Sequence, residues 1–254
     1  MPGIKLSDAG DGIRILSIDN AKKKNALNNA LCAEMAVKVL EVANDKDARV
    51  LIVTGEGGAF CAGADLPDVF GTMGTDVNDI RDHLGDTVYN SFLSLRGLKI
   101  PVISAVEGPA VGAGLNMALS ADVVIASPTA DLAATFSKIG LHQGGGCTAL
   151  LVEALGRQRA LKLLLEGGRL SGQEAYDLGL VAALADDPLD AALELAKTTA
   201  DLDPRLARNI KTAVKLANSA NESGFDASLQ FETWAQAYTA TQPGIQNMIE
   251  KLRR

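Results

Sequence analysis

Two short loops rich in Gly and Ala are the segments of this 254-residue sequence whose backbone groups have the composition to do chemistry. AFCAGADL (59–66) follows one apolar run, and AVEGPAVGAGLNMAL (105–119) begins at the end of another and continues into a predicted helix. Small residues let the main chain approach a ligand closely, and N–H groups at the start of a helix point outward. If the loops face each other, two amides can hold one carbonyl oxygen in an oxyanion hole. The alternative is that both loops are only tight glycine turns in an α/β core.

Short apolar runs alternate with amphipathic segments over the first three quarters of the chain, which is typical of an α/β core. Strands are predicted at 13–18, 49–54, 101–106 and 122–126. Helices are predicted at 28–43, 115–119, 148–155 and 159–165. The polar segment 76–86 leads into a further predicted helix that ends at about 96, and another helix is predicted after a capping box at Ser171 and Glu174. Four further helical segments then follow without an intervening strand, at 188–200, 204–217, 225–239 and 243–252. We therefore expect a core over 1–187 and a helical region over 188–254.

The composition excludes several classes of function. The net charge of −7 leaves no basic stripe for a phosphate backbone, so we expect no nucleic-acid partner. The apolar runs are too short to cross a bilayer and the amino-terminal segment is polar, so we expect a cytoplasmic protein without a membrane segment. Three separated cysteines and two histidines predict neither a disulfide framework nor a metal site.

From Lys24 to its end the sequence resembles the crotonase, or enoyl-CoA hydratase/isomerase, superfamily. Five segments carry the resemblance through their order and spacing: KKNALN (23–28), RVLIVTGEGGAFCAGADL (49–66), IPVISAVEGPAVGAG (100–114), SADVVIAS (120–127) and IGLHQGGG (139–146). The resemblance implies a superhelix of repeated ββα units with a carboxy-terminal helical trimerisation region. It also implies a homotrimer or a dimer of trimers, with a coenzyme A thioester as the substrate and no other cofactor.

The resemblance also assigns roles to individual residues. The two amides that polarise the thioester fall on Ala64 and Ala113. The residues that line the substrate site, including the coenzyme A portion, fall on Lys24, Ala26, Ala62, Asp65, Leu66, Gly112 and Phe136. Because backbone groups do the polarising, Ala at position 113 in place of the commoner Gly is expected to cost little.

The sequence departs from the family pattern at the proton carriers. The two glutamates of family hydratases fall on Asn116 and Phe136, and neither side chain exchanges a proton. An aspartate that some members place in the later loop falls on Gly144. His142 is the nearest titratable group in that loop, and an imidazole exchanges protons near neutral pH. We therefore take Asn116 and His142 as candidate catalytic residues, the alternative for His142 being a hydrogen bond within the loop.

These observations favour an acyl-CoA enzyme that stabilises an enolate or a tetrahedral oxyanion. Efficient hydration is not expected, because it uses the missing pair of carboxylates. Isomerisation, decarboxylation and thioester hydrolysis stay open. The alternatives are a protein that binds acyl-CoA without turnover and, third, a structural protein that binds no coenzyme A.

Overall fold

The computed structural model describes residues 2–71, 74, 76–217 and 222–252, and its centre is a six-stranded sheet. The strands lie in the order β1-β2-β3-β4-β6-β9, with β1 antiparallel to β2 and the other neighbours parallel. Their bounds are β1 Gly3–Asp8, β2 Ile13–Asp19, β3 Val50–Gly55, β4 Val102–Val106, β6 Val123–Ala126 and β9 Ala183–Leu184. A second sheet contains β5 Pro109–Val111, β7 Asp131–Ala133 and β8 Arg169–Ser171.

Helices cover the large sheet on both faces. Their bounds are α1 Asn29–Asn44, α2 Leu66–Val69, α3 Val77–His83, α4 Asn90–Leu93, α5 Ala113–Leu119, α6 Cys147–Glu166, α7 Gly172–Asp177, α8 Pro188–Ala200, α9 Pro204–Ala217, α10 Glu222–Ala240 and α11 Pro243–Leu252. A wide helical turn, Leu84–Tyr89, joins α3 to α4. Strands β3 and β4 are apolar on both sides because they lie between these two helical layers.

The predicted α/β class is confirmed, and each of the four predicted strands is present to within one residue at either end. The capping box at Ser171 and Glu174 is also confirmed. The sequence analysis missed β1, the two-residue strand β9 and the three short strands of the second sheet. The predicted division between helices at 148–155 and 159–165 is confirmed, because Gly156 has non-helical backbone angles within α6. Among the described residues, none of the helices combines the length and apolar character needed to cross a bilayer.

The four carboxy-terminal helices pack on the core in different ways. Helix α8 lays its buried alanines on one face of the large sheet. Helix α9 is tied down by Lys211, whose ammonium lies 2.6 Å from Asp122 Oδ2 and donates to the Ile100 carbonyl. Helix α10 packs against α3 and α6, and α11 packs against α2. The predicted boundary at 187 falls between β9 and α8 and stays a prediction.

The two small-residue loops lie side by side. Cys61 N–H donates to the Pro109 carbonyl at 2.8 Å, and Val111 N–H donates to the Cys61 carbonyl at 3.0 Å. Gly114, in the first turn of α5, permits this approach, since a Cβ on it would lie 2.1 Å from the Cys61 carbonyl oxygen. The amino end of α5 therefore rests directly on the 59–66 loop.

We expect Gly114→Ala to lower the free energy of unfolding by about 1–3 kcal/mol, because the added methyl group must push two backbones apart. Urea unfolding followed by circular dichroism measures the change. Gly85→Ala is the matched control, since a Cβ there meets no atom of the described residues within 4 Å. If Gly114→Ala unfolds at the same urea concentration as the wild type, the two loops can move apart without lowering the free energy of unfolding.

Candidate functional site

Two backbone amides at the junction of the loops have no acceptor. The neighbouring amides are bonded, since Gly112 N–H donates to the Ala133 carbonyl at 2.9 Å and Asp65 N–H donates to the Leu27 carbonyl at 2.7 Å. Within the described part of the chain, the N–H groups of Ala64 and Ala113 donate to no acceptor. Both residues line one cavity of about 190 Å³. Two available donors thus belong to the wall of a single cavity.

The rest of the cavity wall is mostly apolar. It includes aliphatic and aromatic side chains from α2, the 84–93 segment and the 135–141 segment, namely Leu66, Val69, Phe70, Leu84, Val88, Phe92, Phe136, Ile139 and Leu141. The polar side chains of the wall are Tyr89, Asn116, Thr135 and Gln236. Among the described residues, the wall contains no carboxylate, imidazole or ammonium group, and the Tyr89 phenol is its titratable side chain.

Asn116 and Phe136 lie where the sequence analysis expected groups of the active site. Asn116 Nδ2 donates to the Gly144 carbonyl at 2.7 Å, which fixes the orientation of the amide. Its Oδ1 is buried and receives no hydrogen bond from any described residue. This oxygen is therefore a free acceptor, and a ligand hydroxyl or a water molecule can donate to it.

Tyr89 and Gln236 form a buried pair that the sequence analysis did not find. The Tyr89 hydroxyl donates to Gln236 Oε1, and Gln236 Nε2 donates to the His142 carbonyl at 2.9 Å. The pair fills the space beside Gly144, where an added Cβ would lie 2.2 Å from the Tyr89 oxygen and 2.4 Å from Gln236 Oε1. Gly144, where the resemblance implies an aspartate in some family members, was the one sequence signal that another side chain occupies this space.

Burial holds the proton on Tyr89. The pKa of its phenol is raised well above the usual value mainly by burial and secondarily by the negative charge of Glu232, while a hydrogen bond from the Gly145 backbone opposes the shift. The phenol therefore stays protonated at neutral pH, and its raised pKa makes it a weaker acid than a solvent-exposed tyrosine.

His142 lies outside the cavity wall. Its Nδ1 is 2.6 Å from the carbonyl oxygen of Gln143, and its ring packs edge-on against Phe231 with the centroids 5.8 Å apart. The backbone of His142 bonds to Gln236 and Thr239. The geometry thus favours the alternative interpretation, a hydrogen bond within the loop, and gives the proposed acid–base role no support.

The residues expected to contact coenzyme A lie along one edge of the site. Ala62 N–H donates to the Lys24 carbonyl at 2.9 Å, and Leu27 N–H donates to the Gly63 carbonyl at 2.8 Å, so the two segments run side by side. Ala62 and Leu66 line the cavity, Ala26 is half-buried and Lys24 is exposed. The Asp65 carboxylate pairs with the ammonium of Lys23. The edge thus carries exposed lysines next to the opening formed by the small residues.

Other features of the molecule do not join this site. Burial raises the pKa of the Cys61 thiol to about 12, so the thiol is an unreactive packing group. A groove of about 620 Å³ between α9 and the sheet contains none of the predicted site residues. Among the described residues, no three His, Cys, Asp or Glu side chains cluster as metal ligands would.

Comparison with known proteins identifies relatives of this fold and site. The chain matches the family model of enoyl-CoA hydratase/isomerase over residues 8–254. It is 40% identical over 184 residues to a probable enoyl-CoA hydratase of Mycobacterium tuberculosis, covering 72% of this chain and 70% of that protein. It is 35% identical to the 1,2-epoxyphenylacetyl-CoA isomerase of Escherichia coli, covering 89% and 86% of the two chains.

A solved structure agrees with the sequence relatives. The crystal structure of an enoyl-CoA hydratase/isomerase from Mycobacterium paratuberculosis matches with a TM-score of 0.86 at 27% identity, over 98% of this chain and 97% of that one. The match confirms the crotonase fold with its carboxy-terminal helices. The chain therefore belongs to the enoyl-CoA hydratase/isomerase family, and it is an acyl-CoA enzyme of that family.

Proposed function

We propose that the enzyme binds a coenzyme A thioester with the carbonyl oxygen between the N–H groups of Ala64 and Ala113. These amides then stabilise the enolate or tetrahedral oxyanion that forms there. The observation that carries the proposal is the pair of amides without acceptors at the wall of an apolar cavity. Donors in such surroundings act on a developing charge more strongly than donors in water.

The lining of the cavity supports an acyl group as the ligand. Its wall is mostly aliphatic and aromatic, and we propose that the hydrocarbon part of the acyl chain lies against it. The thioester is the substrate, and the proposal includes no further cofactor.

The wall of the cavity restricts the proton chemistry. Asn116 and Phe136 leave no pair of carboxylates, so efficient hydration by that route is not proposed. We propose Tyr89 in place of His142 as the proton donor, because its phenol is the titratable side chain of the described cavity wall; to deliver the proton, its hydroxyl turns from Gln236 Oε1 to the substrate. Decarboxylation needs only this donor, because the loss of CO2 forms the enolate that takes up the proton. Isomerisation and thioester hydrolysis stay open, and both need a base in addition to Tyr89.

A second function is acyl-CoA binding without turnover. The absence of a carboxylate or imidazole from the described cavity wall favours it, since general acid–base groups contribute about 10²–10⁴-fold to such reactions. Both functions use the same amides, so they differ only in what happens after binding.

We also propose a homotrimer or a dimer of trimers. Helix α9 exposes Leu206, Ile210 and Val214, and α10 exposes Phe231, Trp234 and Tyr238. Apolar faces of this kind are typical of surfaces that bind other chains. Light scattering at several protein concentrations measures the mass, and a monomer at all of them would contradict the proposal.

Ala113→Pro tests the proposed oxyanion hole. Ala113 is the first residue of α5, where proline is tolerated, so the substitution removes one N–H with little change in the helix. Hexa-2,4-dienoyl-CoA is the probe, because its absorption moves to longer wavelength when the thioester carbonyl is polarised. We expect the wild type and Ala113→Gly, which keeps the N–H, to show this shift and Ala113→Pro to lose it.

Any turnover should fall by about 10²–10³-fold in Ala113→Pro, the loss typical of one missing donor. A wild-type absorption shift in Ala113→Pro would exclude this amide from the site. Circular dichroism and urea unfolding of the variant check that the helix is intact.

Tyr89→Phe tests the proposed proton donor. We expect turnover to fall by about 10²–10⁴-fold, while the absorption shift of the dienoyl probe remains. His142→Gln is the matched control and should keep turnover near the wild-type value. The measurement follows crotonyl-CoA and longer enoyl-CoA thioesters by absorbance and mass spectrometry.

Equal turnover in Tyr89→Phe and the wild type would exclude Tyr89 as the donor. An absorption shift without turnover in the wild type, across all the thioesters, would favour the binding protein over the enzyme.

A further inference from the structure

Helix α10 carries a buried carboxyl group that the proposed reaction does not use. Glu232 is 1% exposed. It lies one helical turn before Gln236, so both side chains project from the same face of α10. Its Oε1 accepts a hydrogen bond from Thr148 N–H at 2.6 Å, while its Oε2 is buried and has no partner among the described residues.

The carboxyl group lies at the amino end of α6. The residue before this helix, Gly146, offers no side chain to bond the first N–H groups, which a helix leaves unpaired. Glu232 supplies that acceptor from another helix, through the hydrogen bond from Thr148 N–H.

The glycine loop 144–146 directly precedes the helix end that Glu232 binds, and Gly144 of this loop lines the cavity. The Gly144 carbonyl accepts from Asn116, and the backbone of Gly145 bonds to Tyr89. The free acceptor and the proposed proton donor of the cavity are thus both attached to this loop. A shift of the loop would move both groups together.

We propose that Glu232 is a positioning residue for the acyl cavity: its carboxyl group docks α10 on the amino end of α6 and thereby holds in place the glycine loop 144–146 that precedes this helix. The effect on ligand binding rests on the proposed acyl-CoA site. The docking of α10 does not, so the two parts can be tested separately.

The pKa of Glu232 determines how the docking of α10 depends on pH. Burial raises the pKa of Glu232 from 4.5 to about 7, and the hydrogen bonds from Thr148, Gly146 and Cys147 offset only part of this shift. Docking therefore binds a proton. The contribution of the protonated Glu232 carboxyl group to the stability of the docked α10 is fully present below the pKa of a solvent-exposed glutamate. It is lost as the pH rises through about 7.

Several titratable and charged groups surround this carboxyl group. The Tyr89 phenol and the Cys147 thiol interact with it, and burial raises the pKa of both, so both are neutral in this pH range. The His142 ring packs on Phe231, the residue before Glu232, and the Arg96 guanidinium lies over Phe225 at the start of α10. Asp226 on α10 is exposed. His142 is therefore the group that the test must separate from Glu232.

Trp234 provides a readout that needs no ligand. It is the one tryptophan of the sequence, and it lies two residues after Glu232 on α10. We expect the fluorescence of the wild type, titrated from about pH 5.5 to about pH 8.5, to change with a midpoint near 7. Glu232→Gln should remove the change, while Glu250→Gln, an exposed glutamate on α11, should keep it.

His142→Gln decides between the two nearby titratable groups and should keep the midpoint. A wild type without a transition, a transition that persists in Glu232→Gln, or one that disappears in His142→Gln would overturn the proposal. Wild-type protein labelled with ¹³C on its glutamate carboxyl groups provides a second measurement, which does not depend on the folding of Glu232→Gln. One carboxyl resonance titrating near 7 supports the proposal, and none above about 5.5 overturns it.

The effect on the cavity is measured by calorimetry with hexa-2,4-dienoyl-CoA. We expect the wild type to bind at least about threefold more weakly at pH 8.5 than at pH 6.5, and Glu232→Gln to bind equally at both. Equal pH dependence in the two proteins would overturn the role of Glu232 in the cavity. Absence of binding at every pH would instead contradict the proposed function, and the fluorescence titration would still test Glu232.

Discussion

The site depends on the close packing of the 59–66 loop against the amino end of α5. Hydrogen bonds between Cys61, Pro109 and Val111 hold the two backbones together, and Gly114 leaves the space that the contact needs. The same bonds prevent the amides of Ala64 and Ala113 from turning towards acceptors in the protein. The fold thus keeps two donors available for a ligand. Two N–H groups without an acceptor cost free energy of folding, and an oxygen atom bound between them offsets that cost.

This origin of the site in the backbone explains which side chains can vary. Every residue except proline supplies an amide N–H at position 113, so Ala can take the place of Gly there. The groups that transfer protons are side chains, and a substitution replaces them directly. The resemblance places Asn116, Phe136 and Gly144 at these positions, while a phenol and an amide from other elements fill the space beside Gly144. The polarising part of a family site and its proton-transfer part are therefore separable.

The sequence predicts the large sheet well and the polar end of the cavity poorly. Runs such as RVLIVT and PVISAV are apolar on both faces and end at glycine or a polar residue, which predicts buried strands directly. The missed strands β5, β7 and β8 have only three residues each, too few for a periodic signal. Tyr89 and Gln236 are 147 residues apart. Each lies in a helical pattern that indicates packing, and no local pattern shows that their side chains meet.

Helix α10 changes how the two predicted regions relate to the chemistry. The sequence assigns the acyl-CoA site to residues 1–187 and oligomerisation to residues 188–254, yet Gln236 lies in the cavity wall and Glu232 binds Thr148 at the start of α6. The outer face of the same helix presents Phe231, Trp234 and Tyr238, the stripe that favours contact with another chain. One helix thus bonds to the cavity on one side and offers an apolar surface on the other. A contact with another chain on the outer face would fix the position of α10. It would thereby also fix the loop 144–146, which contacts Asn116 and Tyr89. The two proposals together therefore couple assembly to catalysis through this helix.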